Sequence, residues 1–243
     1  MMRHVSCLCI VTTCGVLSVP VHGAVLLEAK SPDDQALTRV WYDGHVMRVD
    51  FTQGGYLLFD VGANKRYMVS DEQKQVMEMP NTDAAEFSAM MSQLGAKRTP
   101  AQINIERLGD GPTIAGYATE HYVVTADGQK CSDEYLSKEL LGNKDVKELV
   151  QAMDGANERE DTRSIASLGP CMVQAPRALA KEYDRLGLPL RTVDADGATS
   201  VEVVSIKVDV SVPESTFSLP AEYSRVSLDD VIRHLQTEAL EIH

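Results

Sequence analysis

Cysteine, histidine and methionine are the residues of this chain best suited to do chemistry, and their spacing limits what that chemistry is. Cys7, Cys9 and Cys14 sit in the first stretch, while Cys131 and Cys171 stand far apart later on. No CxxC pair occurs beyond residue 23, which removes the usual thiol-redox arrangement. Cys131 and Cys171 fit one disulfide, which would close a loop of about 40 residues and stabilise by roughly 4 kcal/mol on the chain-entropy model. Two separate buried thiols are the alternative, since spacing does not give geometry. His121 and Cys131 fall on neighbouring strands and so invite a thiol–imidazole reading. A structural role suits a thiol in an oxidising compartment better. His45, His121, His234 and His243 contain no i, i+4 pair able to hold a metal. Asp133 and Glu134 point to opposite faces of one strand and read as solvated charges. GxSxG, HExxH, P-loop and GxGxxG motifs are all missing from the sequence. The expectation is no catalysis, no cofactor and no metal.

The methionines allow more than one reading. Arg66 to Pro80 reads RYMVSDEQKQVMEMP, with Met68, Met77 and Met79, and Met90 and Met91 follow. Thioethers are soft ligands for Cu(I), but that use needs Met clustered on an accessible surface. The other readings are plain core packing and an adaptable apolar cavity, because an unbranched, polarizable side chain fills irregular gaps. Strand alternation sets Met77 and Met79 on one face with Tyr67 and Val69, and turns Met68 the other way.

These residues need elements to position them. LTRVWYDGHVMRVDF reads as a hairpin closed by Asp43-Gly44. Val40, Tyr42, Met47 and Val49 then share one face, and Arg39, Trp41, Val46 and Arg48 the other. GGYLLFDV, KRYMVS and KQVMEM continue the meander, giving five short strands in the first 80 residues. A helix follows over 81–95, with Phe87, Met90, Met91 and Leu94 on one stripe and Gly95 as its stop. QINIERLG returns to strand, with Ile103 and Ile105 on one side, followed by TIAGYATEHYVV and QKCSDEYLS. Helices are expected over 145–156 and 176–186, with Gly187 ending the second. A last hairpin turns at 194–197, PESTFSLPAEY makes an irregular tail, and a helix runs from Ser227 through Leu240.

Composition sets the class. Against 23 Lys+Arg stand 36 Asp+Glu, a formal net charge of −13. That acidity disfavours nucleic acid and anionic membrane surfaces as partners. Residues 1–23 carry one early cation, Arg3, an apolar run, and Val21 and Gly23 at the small-residue positions, as in a secretory signal peptide. An uncleaved anchor, or a lipid-modified Cys14, is the weaker reading. The run is too short to span a bilayer, which takes roughly 20 apolar residues. The domain reading is a signal peptide over 1–23, one domain over 24–226 with a helical insertion at about 145–186, and a terminal helix over 227–243.

The order of elements, with YDGHVMRVDF, RYMVS, QVMEMP, IAGYATEHYVVTADGQ, LGLPLRT and VPESTFSLPAEY, resembles the LolA/LolB-like lipoprotein carrier superfamily, closest to periplasmic members of unassigned function. The tail matches through Pro213, Phe217, Pro220 and Tyr223. The resemblance implies an α+β fold, a curved antiparallel half-barrel sheet wrapped around helices, with an apolar cavity on the concave side. It implies a periplasmic protein that binds a hydrophobic ligand, an acyl chain of a lipid or lipoprotein or an apolar peptide. The alternative is an envelope interaction or sensor module with a filled core. Candidate lining residues are Val40, Tyr42, Met47, Val49, Tyr67, Met77, Met79, Phe87, Met90, Met91, Leu94, Ile103 and Ile105.

Overall fold

The computed structural model describes residues 22–31, 34–52, 54–79, 101–158 and 169–227. The expected signal peptide, but for its last two residues, lies outside them. So do the 81–95 helix, with Phe87, Met90, Met91 and Leu94, and nearly all of the terminal helix.

Strands come first because alternating β-branched and aromatic residues suit a sheet with two different faces. They are β1 (His22–Ser31), β2 (Asp34–Tyr42), β3 (Val46–Asp50), β4 (Tyr56–Asp60), β5 (Lys65–Ser70) and β6 (Gln75–Met79). Then come β7 (Ile103–Asp110), β8 (Glu120–Ala126) and β9 (Gln129–Ser137). After a 3-10 turn (Glu139–Gly142), three α-helical pieces follow: α1 (Lys144–Glu158), α2 (Pro170–Ala180) and the single turn α3 (Tyr183–Leu186). The chain closes with β10 (Leu188–Asp194), β11 (Thr199–Val212) and β12 (Ser224–Val226). Among the described residues these form one open, curved sheet in the order β12-β6-β5-β4-β3-β2-β1-β11-β10-β9-β8-β7. All pairs are antiparallel except β12 with β6.

Four expectations need correction. The first 80 residues hold six strands, not five, because the apolar run AVLLEAKS forms β1 at the middle of the sheet. His22 and Gly23, placed with the signal peptide by sequence, already pair with Val212 and Ser211. The β2–β3 loop is wider than Asp43-Gly44, since Tyr42 pairs with Met47 and Val40 with Val49. Asp43 is the cause: its carboxylate accepts from the backbone N–H groups of His45 and Val46, drawing both into the turn. The shift is two residues, so the face assignments survive. The helix expected to start at Pro176 starts at Pro170, which takes the first-turn position suited to a residue with no N–H. Pro176 is tolerated inside α2 on its exposed side.

The β5–β6 register matters most. Ser70 pairs with Gln75 and Met68 with Met77 across a four-residue loop in which Lys74 takes a left-handed φ of 53°. A change of one residue in loop count reverses the faces. Met68, Met77 and Met79 therefore share a face, and Tyr67 and Val69 lie on the other with Val76.

Two apolar clusters result. The main one packs α1–α3 on one face of the sheet, joining Val146, Leu149, Val150 and Leu179 to Val25, Leu27, Tyr42, Phe59, Val124 and Leu190. The second lies on the opposite face of β4–β6, where Tyr56, Leu58, Val69 and Val76 are covered by Leu219 and Tyr223 of the tail. Gly187 ends α3 at φ 113°, and a Cβ there would come within 2.3 Å of the Ser137 carbonyl, so only glycine fits this junction.

Candidate functional site

Following the pairs from β1 outward places Val40, Tyr42, Met47 and Val49 on the helix-bearing face, joined by Leu57, Met68, Met77 and Met79. Tyr42 and Met47 are buried in the main core, and the Tyr42 hydroxyl donates to the Gly44 carbonyl. Val40 and Val49 are half-buried beside it. Leu57, Met77 and Met79 are half-buried and Met68 is 37% exposed; none of these four joins either cluster among the described residues. Ile103 and Ile105 line the same face at the far edge of the sheet, against α2. Tyr67 is on the opposite face under the tail, which separates it from Met77 and Met79. The sequence reading passed over Leu57, which the β3–β4 register sets opposite Val49, and set Met68 apart, which joins Met77 once the β5–β6 loop is counted as four residues.

A second concavity opens between α2 and strands β8–β10. It holds about 540 Å³, within the range of small-molecule sites. Val124, Ala175 and Leu179 make its apolar wall, and the bridged Cys131 and Cys171 stand at its side. The bridge joins β9 to α2 with the two Cα atoms 5.0 Å apart. It settles the cysteine question and leaves no free thiol at Cys131 to act as a nucleophile.

Glu134 faces this cavity and is 5% exposed, which corrects its reading as a solvated charge. Strand alternation does send Asp133 and Glu134 to opposite faces, but α2 docks over one of them. Ser132 Oγ donates to Glu134 Oε1 at 2.7 Å, and Thr192 Oγ1 donates to Oε2 at 2.8 Å. Burial pushes the Glu134 carboxyl up to about 7, against these two bonds and with help from Asp194 and Asp133. Tyr183 lines the same space, and its hydroxyl is raised by burial and by the Glu134 and Asp154 charges.

On the other face, His121 Nε2 lies 3.0 Å from Asp133 Oδ1 and its ring stacks on Tyr135 at 4.7 Å. Burial acts to raise the Asp133 carboxyl, but hydrogen bonds from Lys130 and His121 outweigh it and hold it low. Arg191 extends the row, bonding Glu202 at 2.7 Å. His121 is thus part of a charged ladder rather than a partner of Cys131. No group of three metal-ligating side chains occurs among the described residues. No described helix is long and apolar enough to cross a membrane.

Comparison with known proteins gives one family. A family described as a domain of unknown function, DUF4412, matches residues 50–223. No curated protein is matched. Among solved structures, a crystal structure of MucB in complex with MucA(peri) is 12% identical over 86% of this chain, with a TM-score of 0.31. The MucA/MucB complex of Pseudomonas aeruginosa is 11% identical over 86%, also at 0.31. This chain spans 57% and 59% of those two chains. The match over 50–223 takes in most of the sheet, all three helical pieces and the tail, and on it this protein belongs to the DUF4412 family.

Proposed function

We propose that this protein is an exported, periplasmic, non-enzymatic carrier of a hydrophobic ligand, an acyl chain or an apolar peptide segment, held on the helix-bearing face of β3–β6. The observation that carries this reading is the soft patch of Leu57, Met68, Met77 and Met79, which lies outside both cores among the described residues and is bordered on the same face by Arg66, opposite Met79. Thioether side chains suit ligands of varied shape because they repack at low cost. The half-barrel, LolA-like architecture belongs to the same proposal, as does the absence of catalysis.

A fluorescent fatty acid tests it. Saturable binding is expected, weakened at least tenfold by Met68→Lys and Met77→Lys, each of which sets a charge in the patch. A clean ligand-free mass of the periplasm-purified protein, together with no fatty-acid binding, would overturn it. One observation favours a second reading, an envelope interaction module: Tyr42 and Met47, expected to line the cavity, are packed solid. Crosslinking in envelope extract through a photoreactive residue at position 68 separates the two. A discrete protein adduct supports the module, and lipid adducts support the carrier.

A further inference from the structure

The cavity between α2 and β8–β10 is distinct from the apolar patch and has a different chemistry. Its inner wall carries a buried carboxylate whose polar contacts among the described residues are two neutral hydroxyls. A carboxylate offers about four lone-pair sites, so acceptor capacity remains on both Glu134 oxygens. Among the described residues no cation lies within ion-pair distance of Glu134. The one lysine of the lining, Lys130, gives its ammonium to Asp133. A buried carboxylate without a counter-charge is costly, and the cost falls when an ammonium donates to it.

The exposed part of the lining adds the same sign. Asp194 and Asp196 both border the opening. Three acids against one engaged lysine repel anions and raise the local concentration of cations. A bare metal ion fits poorly, since the described residues assemble no group of three ligating side chains. Val124, Leu179 and the edge of Met172 supply a wall for an apolar body.

We propose that this cavity binds a small organic cation, an amine with an apolar body, with its ammonium donating to Glu134 and its body against Val124 and Leu179. The disulfide fixes the distance between the wall on α2 and the carboxylate on β9, so the site is preformed.

Calorimetric titration of the full chain at pH 8 with hexylamine, 2-phenylethylamine and tryptamine, each beside its matching alcohol, tests this. At that pH alkylamines are still charged and Glu134 is largely ionised. At least one amine is expected to bind one-to-one and at least tenfold tighter than its alcohol. Glu134→Gln is expected to bring that amine down to its alcohol. Met172 is 64% exposed, so Met172→Lys leaves the fold intact; it places a competing cation at the opening and is expected to weaken amine binding at least fivefold. No saturable amine binding at millimolar concentration would overturn the proposal. So would equal affinity for amine and alcohol, or amine binding that survives Glu134→Gln in a variant with native near-ultraviolet dichroism. Should Glu134→Gln not fold, unchanged amine affinity in Met172→Lys overturns the proposal on its own. The fatty-acid assay reads a different face, so the two readings stand or fall separately.

Discussion

Glu134 keeps its carboxyl against two hydroxyls and away from water, and stability must follow its proton. The groups around it are Ser132 and Thr192 as donors, Asp133 beside it on β9, Asp194 from β10 and Tyr183 from α3. Burial raises the carboxyl from 4.5 to about 7 in the folded chain. Between those values the unfolded chain has released a proton that the folded chain keeps. The unfolded state binds fewer protons there, so stability falls as pH rises through that window. The full effect is on the order of 3 kcal/mol, reached above pH 7. Glu134→Gln is expected to flatten this part of the pH–stability curve, measured by urea unfolding at pH 5 and pH 8. An unchanged slope in the variant would show that other groups carry it. The sequence makes half of this legible. Alternation along QKCSDEYLS separates Asp133 from Glu134, but which of the two is covered depends on α2, a helix whose start is hidden by a second proline at Pro176.

At the scale of elements, loop length decided what the sequence could and could not tell. The β2–β3 loop is longer than its Asp-Gly signal implies by an even count, and the face assignment of Val40, Tyr42, Met47 and Val49 stands. The β5–β6 loop changes parity, and Tyr67 leaves the methionines. Neither count is visible in the residues, because Asp43 widens one turn with its side chain and Lys74 enters left-handed space in the other. The disulfide is a parallel case: spacing allowed it, and only the docking of α2 on β8 and β9 brings the two Cα atoms within reach. Across a sequence separation of 40, chain entropy assigns the bridge about 4 kcal/mol. Cys131→Ser, Cys171→Ser and the double variant should therefore lose similar amounts of stability, near that value, in denaturant titration without reductant. Strongly unequal single variants would mean that one thiol's packing, and not the crosslink, accounts for the loss.

On the scale of the whole molecule, the sheet is covered from two sides by different parts of the chain. Helices α1–α3 cover the face that runs from β1 across the sheet to β7, and the tail after β11 crosses to the other face of β3–β6. The tail is anchored at several points. Arg48 donates to the Thr216 carbonyl at 3.1 Å, Tyr223 donates to Asp71 at 2.9 Å, and Lys74 donates to the Tyr223 hydroxyl at 2.9 Å. Ser224 N–H then bonds the Lys74 carbonyl and starts the parallel pairing of β12 with β6. The sequence offered this stretch as irregular, yet its Pro213, Phe217, Pro220 and Tyr223 pattern marks a strap, and the family match ends at residue 223. Because the strap and the helices cover separate clusters, damage to one should leave the other standing. Leu219→Ala with Tyr223→Ala removes partly buried apolar groups from above Tyr56, Leu58, Val69 and Val76, and is expected to cost about 2–4 kcal/mol in total. Hydrogen exchange on this variant should speed up in β4–β6 while amides of β8–β10 keep their protection, as for a locally unfolding unit. Uniform loss of protection across all strands would mean that the two covers stabilise one indivisible sheet, and that a ligand on the β3–β6 face would be felt at the α2 cavity.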